Sequence, residues 1–342
     1  MYDFAPKHYR VGQTLKGNIP LSWFHKEIEC PKFHWVKLPL SGLPWVHNAE
    51  IPAGYSMEDL CNKLESSFPN GFLLRGCSSE LAGYLNKKGY EIIRTGAQGT
   101  LDLENLNKLP RTVTDLARRG EKYGTVKEIP LSQSNRQRVT EFIAHTSYGT
   151  KPHLQYLFNN NFDSNTRCFV MSSSEDKWLG VITVSVSGKN SCYTEMMLRS
   201  KKAHVGVMES LFVSVMKILR DEGAKHFSLG EVPFISPESM EVDGLPNSFK
   251  RSLHESFLFK AGHLLRYAFN YKGLFDFKNK FDPQWKPVYI CATPKLPLLG
   301  VIDLFCKTGY MDLSYSELIT SIKSYPAVLP AAAFQGRKPR PG

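Results

Sequence analysis

Between Tyr271 and Ile290 the chain interleaves Lys272, Lys278, Lys280 and Lys286 with Phe275, Phe277, Phe281, Trp285 and Tyr289. Ammonium groups at that density can neutralise phosphates while the rings stack on a ligand. The plainer arrangement, core aromatics with a solvated lysine rim, uses the same spacing and is favoured by residue type alone. A second segment, Arg199-Ser-Lys201-Lys202-Ala-His-Val-Gly206-Val-Met-Glu209, runs into the best helix pattern in the chain. Backbone N–H groups at such a start can hold an anion. Acyl-coenzyme A users need several closely spaced glycines there, and Gly206 is alone, which argues against coenzyme A. Glu209 is either a reacting carboxylate or a first-turn acid that offsets the helix dipole.

The remaining chemistry is bounded by what is missing. The sequence has no GxSxG, GxxxxGK[ST], HExxH or GxGxxG, so the common hydrolase, nucleotide, zinc-protease and dinucleotide signatures are absent. Ten His are scattered without i, i+4 pairs, and no metal is expected. The seven Cys are an odd set without CxxC spacing, which fits reduced thiols. No stretch is long and apolar enough to span a bilayer, and the start Met1-Tyr-Asp-Phe-Ala-Pro-Lys-His has no secretory core. A cytoplasmic protein is expected, free or peripheral at the inner face of the membrane. Lys+Arg number 43 against 32 Asp+Glu in 342 residues, a net charge of +11. That excess suits nucleic acid or an anionic membrane.

The elements that must position these residues follow from periodicity. Residues 1–70 read as irregular. Phe72–Leu74 is a buried strand, Ser78–Lys88 a helix closed by Gly89, and Tyr90–Arg94 and Gly99–Leu103 two strands joined by a glycine turn. A basic helix spans 111–124. From Thr125 the spacing predicts strand 125–129, helix 134–145, short helix 152–159, hairpin 167–172 and 178–187, and strand 192–198. Helix 205–222 carries Met208, Leu211, Phe212, Val215, Ile218 and Leu219 at 3–4 spacing. Strand 226–229, helix 248–260 and strand 287–292 follow. This order suits an α/β (α+β) fold of the N-acetyltransferase type. The chain is expected to hold two such units in tandem, each a mixed twisted sheet flanked by helices. The first, degenerate in sequence, covers 1–124, the second 125–310, and 311–342 is an extension.

The residues Gly273-Leu-x-x-Phe277-Lys278-x-Lys280-Phe281-x-Pro283-x-Trp285-x-Pro287-x-Tyr289 resemble the signature of the catalytic C-terminal domain of aminoacyl-phosphatidylglycerol synthases, the multiple peptide resistance factor family. Phe227-Ser-Leu-Gly230-Glu231-Val-Pro233, Val205–Phe212, Gly96–Leu103 and Leu116–Gly124 resemble further family motifs in the same order. There are departures. The family's Asp-x-x-Arg reads Thr194-Glu195-Met196-Met-Leu-Arg199 here, so that Met196 aligns with the acid, and Gln98 and Glu209 stand for Glu and Asp. The resemblance implies a free-standing form without the membrane part. It implies tandem acetyltransferase-like units, aminoacyl-tRNA as co-substrate without another cofactor, and an acceptor lipid such as phosphatidylglycerol.

Transfer from a reactive ester to an alcohol requires alignment, proton removal and oxyanion stabilisation. Glu195, Arg199, Glu209 and Lys278 are the expected catalytic set, with Glu231, Lys280, Trp285 and Tyr289 on the substrate. Arg118, Arg119, Lys122, Lys201 and Lys202 are expected on tRNA, with a plain solvated helix face as the alternative for Arg118 and Arg119. Two other functions remain open at this point: an acetyl-CoA-type N-acyltransferase, and a non-catalytic tRNA- or membrane-binding module. Helix 296–307 and the Ala/Pro-rich stretch 325–335 are candidate membrane contacts, or simply cover the core.

Overall fold

The computed structural model describes residues 19–157, 166–187, 190–240, 244–245, 249–295 and 298–324. Its strands are β1 (Phe24–Lys26), β2 (Lys32–Lys37), β3 (Pro44–Pro52), β4 (Phe72–Cys77), β5 (Glu91–Asp102), β6 (Thr125–Ile129), β7 (Thr166–Ser172), β8 (Trp178–Ser187), β9 (Ser191–Arg199), β10 (His226–Pro233) and β11 (Gln284–Thr293). The helices are α1 (Met57–Ser67), α2 (Ser79–Lys87), α3 (Arg111–Glu121), α4 (Gln133–Ala144), α5 (Val207–Asp221), α6 (Phe249–Leu264), α7 (Tyr271–Asn279), α8 (Leu298–Lys307) and α9 (Tyr310–Ser324). All eleven strands join one mixed sheet in the order β1-β3-β4-β11-β5-β10-β9-β8-β7-β6, with β2 on β3. The sheet is flanked by helices, as the element order predicts for an acetyltransferase-like α/β fold.

One unit occurs twice: a strand, a helix, and a second strand parallel to the first that separates from it after a few residues. β9 and β10, joined through α5, pair only over Ser191–Tyr193 and His226–Ser228. β3 and β4, joined through α1, pair only at Trp45–Val46 and Leu73–Leu74. β11, late in the chain, inserts antiparallel between β4 and β5, and β5 pairs antiparallel with β10. The two halves are thus stitched through each other's edges into one sheet.

The predicted helix at 205–222 is α5, and its apolar stripe faces inward: Met208, Leu211, Phe212, Val215 and Leu219 are buried and Ile218 is half-buried. Three expectations are corrected. The two strands expected within 90–103 are the single strand β5, because Gly96 admits the neighbouring Val232 backbone and Gly99 the side chains of Pro283 and Trp285, and neither makes a turn. A Cβ on Gly96 would lie 2.2 Å from the Val232 carbonyl oxygen. Residues 24–67 are not irregular but hold three strands and α1, whose Ser56–Asp59 capping box starts the helix. Their Pro and Trp content masks the pattern. Residues 152–157 are not helical, and 158–159 lie outside the described residues, as does the stretch 325–335.

α3 lies directly on the start of α5. A Cβ on Gly120 would come within 2.1 Å of the Gly206 carbonyl oxygen, and Gly206 itself sits at φ +96° with Leu116 oxygen 2.3 Å from its would-be Cβ. Tyr123 stacks on His204 at 4.1 Å. Gly120→Ala therefore forces the helices apart. It is expected to cost about 1–3 kcal/mol through overpacking, measured as a lowered denaturation midpoint, whereas Gly223→Ala meets no neighbour and only strains its positive φ.

Candidate functional site

Where β9 and β10 part, the sheet opens into a cavity of about 450 Å³. Its walls are mostly apolar and are built largely by the later helices: Leu258 of α6, Leu274 of α7, Val301, Leu304 and Phe305 of α8, and Tyr310 and Leu313 of α9. Arg75, Tyr193, Glu195, Glu231 and Lys278 add the charged and polar lining.

The opening has a local cause. A bulge between Ser228 and Gly230 shifts the β10 register against β5. Gly230 takes φ +84°, and its would-be Cβ meets Thr194 oxygen at 3.2 Å and Lys278 Nζ at 3.3 Å. A side chain there would displace the lysine, so glycine is required for the approach. The bulge turns Glu231 into the cavity, where Arg75 pairs with its Oε2 and Thr95 Oγ1 donates to Oε1 at 2.9 Å. Gly76, at φ +81°, lets Leu21 lie against the strand beside Arg75. The same N-terminal segment brings Ser22, whose hydroxyl donates to Glu195 Oε2 at 3.2 Å, while Ser185 donates to Oε1 at 2.8 Å.

Lys278 projects from the last turn of α7, a helix capped by Asn270 accepting from the Gly273 N–H at 2.9 Å. It is 4% exposed, and its Nζ donates to the Glu231 backbone oxygen at 3.1 Å. Burial pushes its ammonium down to about 7, against the opposing pull of the Glu231 carboxylate. Burial, reinforced by Glu195, holds the Tyr193 phenol well above its ordinary value, so it stays a neutral donor.

Of the residues singled out in the sequence, the structure gathers Glu195, Glu231 and Lys278 around this cavity. Lys280 lies apart, paired at 3.2 Å with Glu209, which is buried in the first turn of α5. Arg199 is exposed and donates to the Ala203 carbonyl at 2.8 Å, closing the loop before α5. Trp285 is buried beside Phe275, with Nε1 donating to Asn279 at 3.0 Å, and Tyr289 is buried in the core under α1 and α2; neither lines the cavity. Arg118 and Arg119 on α3, Lys122 at its C-terminal cap, and Lys201 and Lys202 are all exposed. The Tyr123–His204 stack holds these two segments side by side, and Arg118 faces Asp115 at 3.7 Å.

The lysine–aromatic stretch thus divides. Phe277 and Phe281 pack on Phe212 of α5, Lys272, Lys280 and Lys286 are exposed, and Lys278 alone turns inward. Sequence reasoning missed Arg75, Thr95, Tyr193 and the two serines. The signal for Arg75 was present: one guanidinium inside the apolar run Phe72-Leu-Leu-Arg-Gly-Cys77. A buried strand carries a charge only where a partner awaits it. Among the described residues no group of three His, Cys, Asp or Glu converges to hold a metal, and no helix is long and apolar enough to cross a membrane.

Similarity to known proteins agrees with this frame. The C-terminal domain of a protein assigned as a lysylphosphatidylglycerol synthetase from Agrobacterium fabrum superposes with a TM-score of 0.56. The match covers 72% of this chain and 76% of that one at 22% identity. L-PGS from Bacillus licheniformis superposes with 0.54 over 74% and 77% at 19% identity. At such identities the likeness is one of fold. No curated protein matches the sequence. The profile of the phosphatidylglycerol lysyltransferase C-terminal family matches residues 59–292, more than half of the chain and spanning every cavity strand. The chain is a member of that family, the C-terminal domains of phosphatidylglycerol lysyltransferases.

Proposed function

We propose that this protein is an aminoacyltransferase that moves an aminoacyl group from aminoacyl-tRNA to a hydroxyl of a membrane lipid such as phosphatidylglycerol. Family membership supports the reaction class. The observation that carries the reading is the cavity, apolar enough for acyl chains and charged at Lys278, Glu231, Arg75 and Glu195.

In this reading the lipid hydroxyl is held beside Lys278. With its proton affinity near neutrality, a substantial fraction of that lysine is the free amine at pH 7. The amine accepts the hydroxyl proton as the oxygen attacks the ester carbonyl. The carbon–oxygen bond to the terminal ribose then breaks, and the proton passes from Lys278 to the departing ribose oxygen. Tyr193 donates to the oxyanion. Glu195, oriented by Ser22 and Ser185, receives the ammonium of the aminoacyl group. Arg75 and Thr95 fix Glu231, whose backbone oxygen aims Lys278. Arg118, Arg119, Lys122, Lys201 and Lys202 form the rim for tRNA phosphates. Lys280 anchors Glu209, and Arg199 braces the loop beside that rim. Trp285 and Tyr289 support the strand behind the cavity.

The acetyl-coenzyme A reading fares worse because α3 packs against Gly206 at the helix start where a pyrophosphate would sit. The test is a transfer assay with tRNA charged with labelled amino acids and a total lipid extract. Label in the organic phase that disappears after RNase pretreatment is expected. Label that never leaves tRNA would refute lipid aminoacylation and favour a binding module.

A further inference from the structure

α9 is apolar on two opposite sides. Tyr310 and Leu313 face the cavity, while Met311, Tyr315, Leu318 and Ile322 are 46%, 68%, 47% and 60% exposed. At 100° per residue those four fall within ~60° of one another, one stripe running the length of the helix. α9 also touches the turn at the end of α6, where Leu264 and Tyr267 are 74% and 47% exposed. Lys260 and Arg266, both exposed, stand at the same end of α6.

We propose that this outer face of α9, with the end of α6, is a docking surface for an anionic lipid bilayer, lying in the interface plane over the helices that wall the cavity. The inference rests on the lipid reading of the cavity and adds to it the place where the lipid enters. A helix apolar on both sides needs a second apolar partner besides its own core. A lipid that leaves a bilayer for a protein cavity must move without exposing its chains to water, so the bilayer must abut the cavity wall. The wall on this side is α8 and α9. The bordering cations and the chain's charge of +11 suit anionic headgroups, and no helix among the described residues is long and apolar enough to cross a membrane, so α9 would meet the bilayer at its surface.

The test is flotation of the whole protein with vesicles of phosphatidylcholine alone or mixed with phosphatidylglycerol, beside the Leu318→Glu/Ile322→Glu double variant. The parent should float with the anionic vesicles, less so at high salt. The variant's partitioning should fall by about tenfold or more, with its melting curve and its transfer to detergent-dispersed lipid unchanged. Equal flotation of the variant would assign membrane contact to another segment, such as 325–342, and overturn the proposal. A parent that ignores both vesicles overturns it too, as does a parent dimer that the substitutions dissolve in place of vesicle binding. If neither protein transfers label to lipid but flotation is lost in the variant, the docking surface stands and the transfer reading falls.

Discussion

Lys278→Met is expected to abolish lipid aminoacylation while raising the melting temperature near neutral pH. The activity loss should be about 10²- to 10⁴-fold in kcat, the range for removal of a positioned proton acceptor. The stability gain comes from the same burial. In the unfolded chain the amine keeps its ordinary high proton affinity, whereas in the fold it is pushed down to about 7. Below pH 7 both states hold the proton, and the fold bears the full cost of an enclosed ammonium, on the order of 5 kcal/mol at about 1.4 per pK unit. Between pH 7 and the unfolded lysine's value only the unfolded state holds the proton, so parent stability rises with pH. The advantage of Lys278→Met should therefore be largest below pH 7 and fade toward pH 10–11, which paired thermal melts across that range would read. A variant less stable than the parent at pH 6 would mean that the lysine is not enclosed as described. Unchanged kcat would remove it from the reaction.

Arg75→Ala should be the most damaging single change to the fold around the cavity. It strands the Glu231 carboxylate, 4% exposed, without its cation. Breaking one side of a buried pair costs about 3–5 kcal/mol, whereas replacing both partners with neutral groups of similar volume is close to neutral. Chemical denaturation should show Arg75→Met/Glu231→Gln recovering most of the loss. The pair also tunes Lys278. Glu231 is the charge that resists the lowering of its proton affinity. Glu231→Gln should therefore move the acid limb of the rate profile to lower pH, and Arg75→Ala, which unmasks the carboxylate, should move it higher. Identical limbs in the two variants would exclude Lys278 as the titrating group.

The elements with strong local period were legible from residue spacing. α5 follows its 3–4 stripe, β7 and β8 their alternation, and the helix stop at Gly223 its positive φ of 93°. The family signature around 273–289 was legible for the same reason, as a run of particular residues at fixed spacing. β3 and α1 were not, because Pro and Trp interrupt their periods and their partners lie elsewhere in the chain. The span 90–103 misled, because two glycines that make room for neighbouring backbone and side chains look the same in sequence as a turn.

The sequence by itself determined the strongly periodic segments, such as α5, β7 and β8, and the family their order and motifs belong to, because those depend on neighbours within a few residues. Tertiary structure decided which charges do chemistry. Lys278 and Lys280 stand two positions apart in the same motif, yet one is enclosed with its proton affinity shifted and the other is 43% exposed against Glu209. Arg75, Thr95, Glu195 and Glu231 come from four strands that meet only because β11 enters between β4 and β5 and because β10 leaves β9 at Gly230. Burial and pairing across such distances are set by which surface closes over a side chain. Local spacing holds no record of that closure.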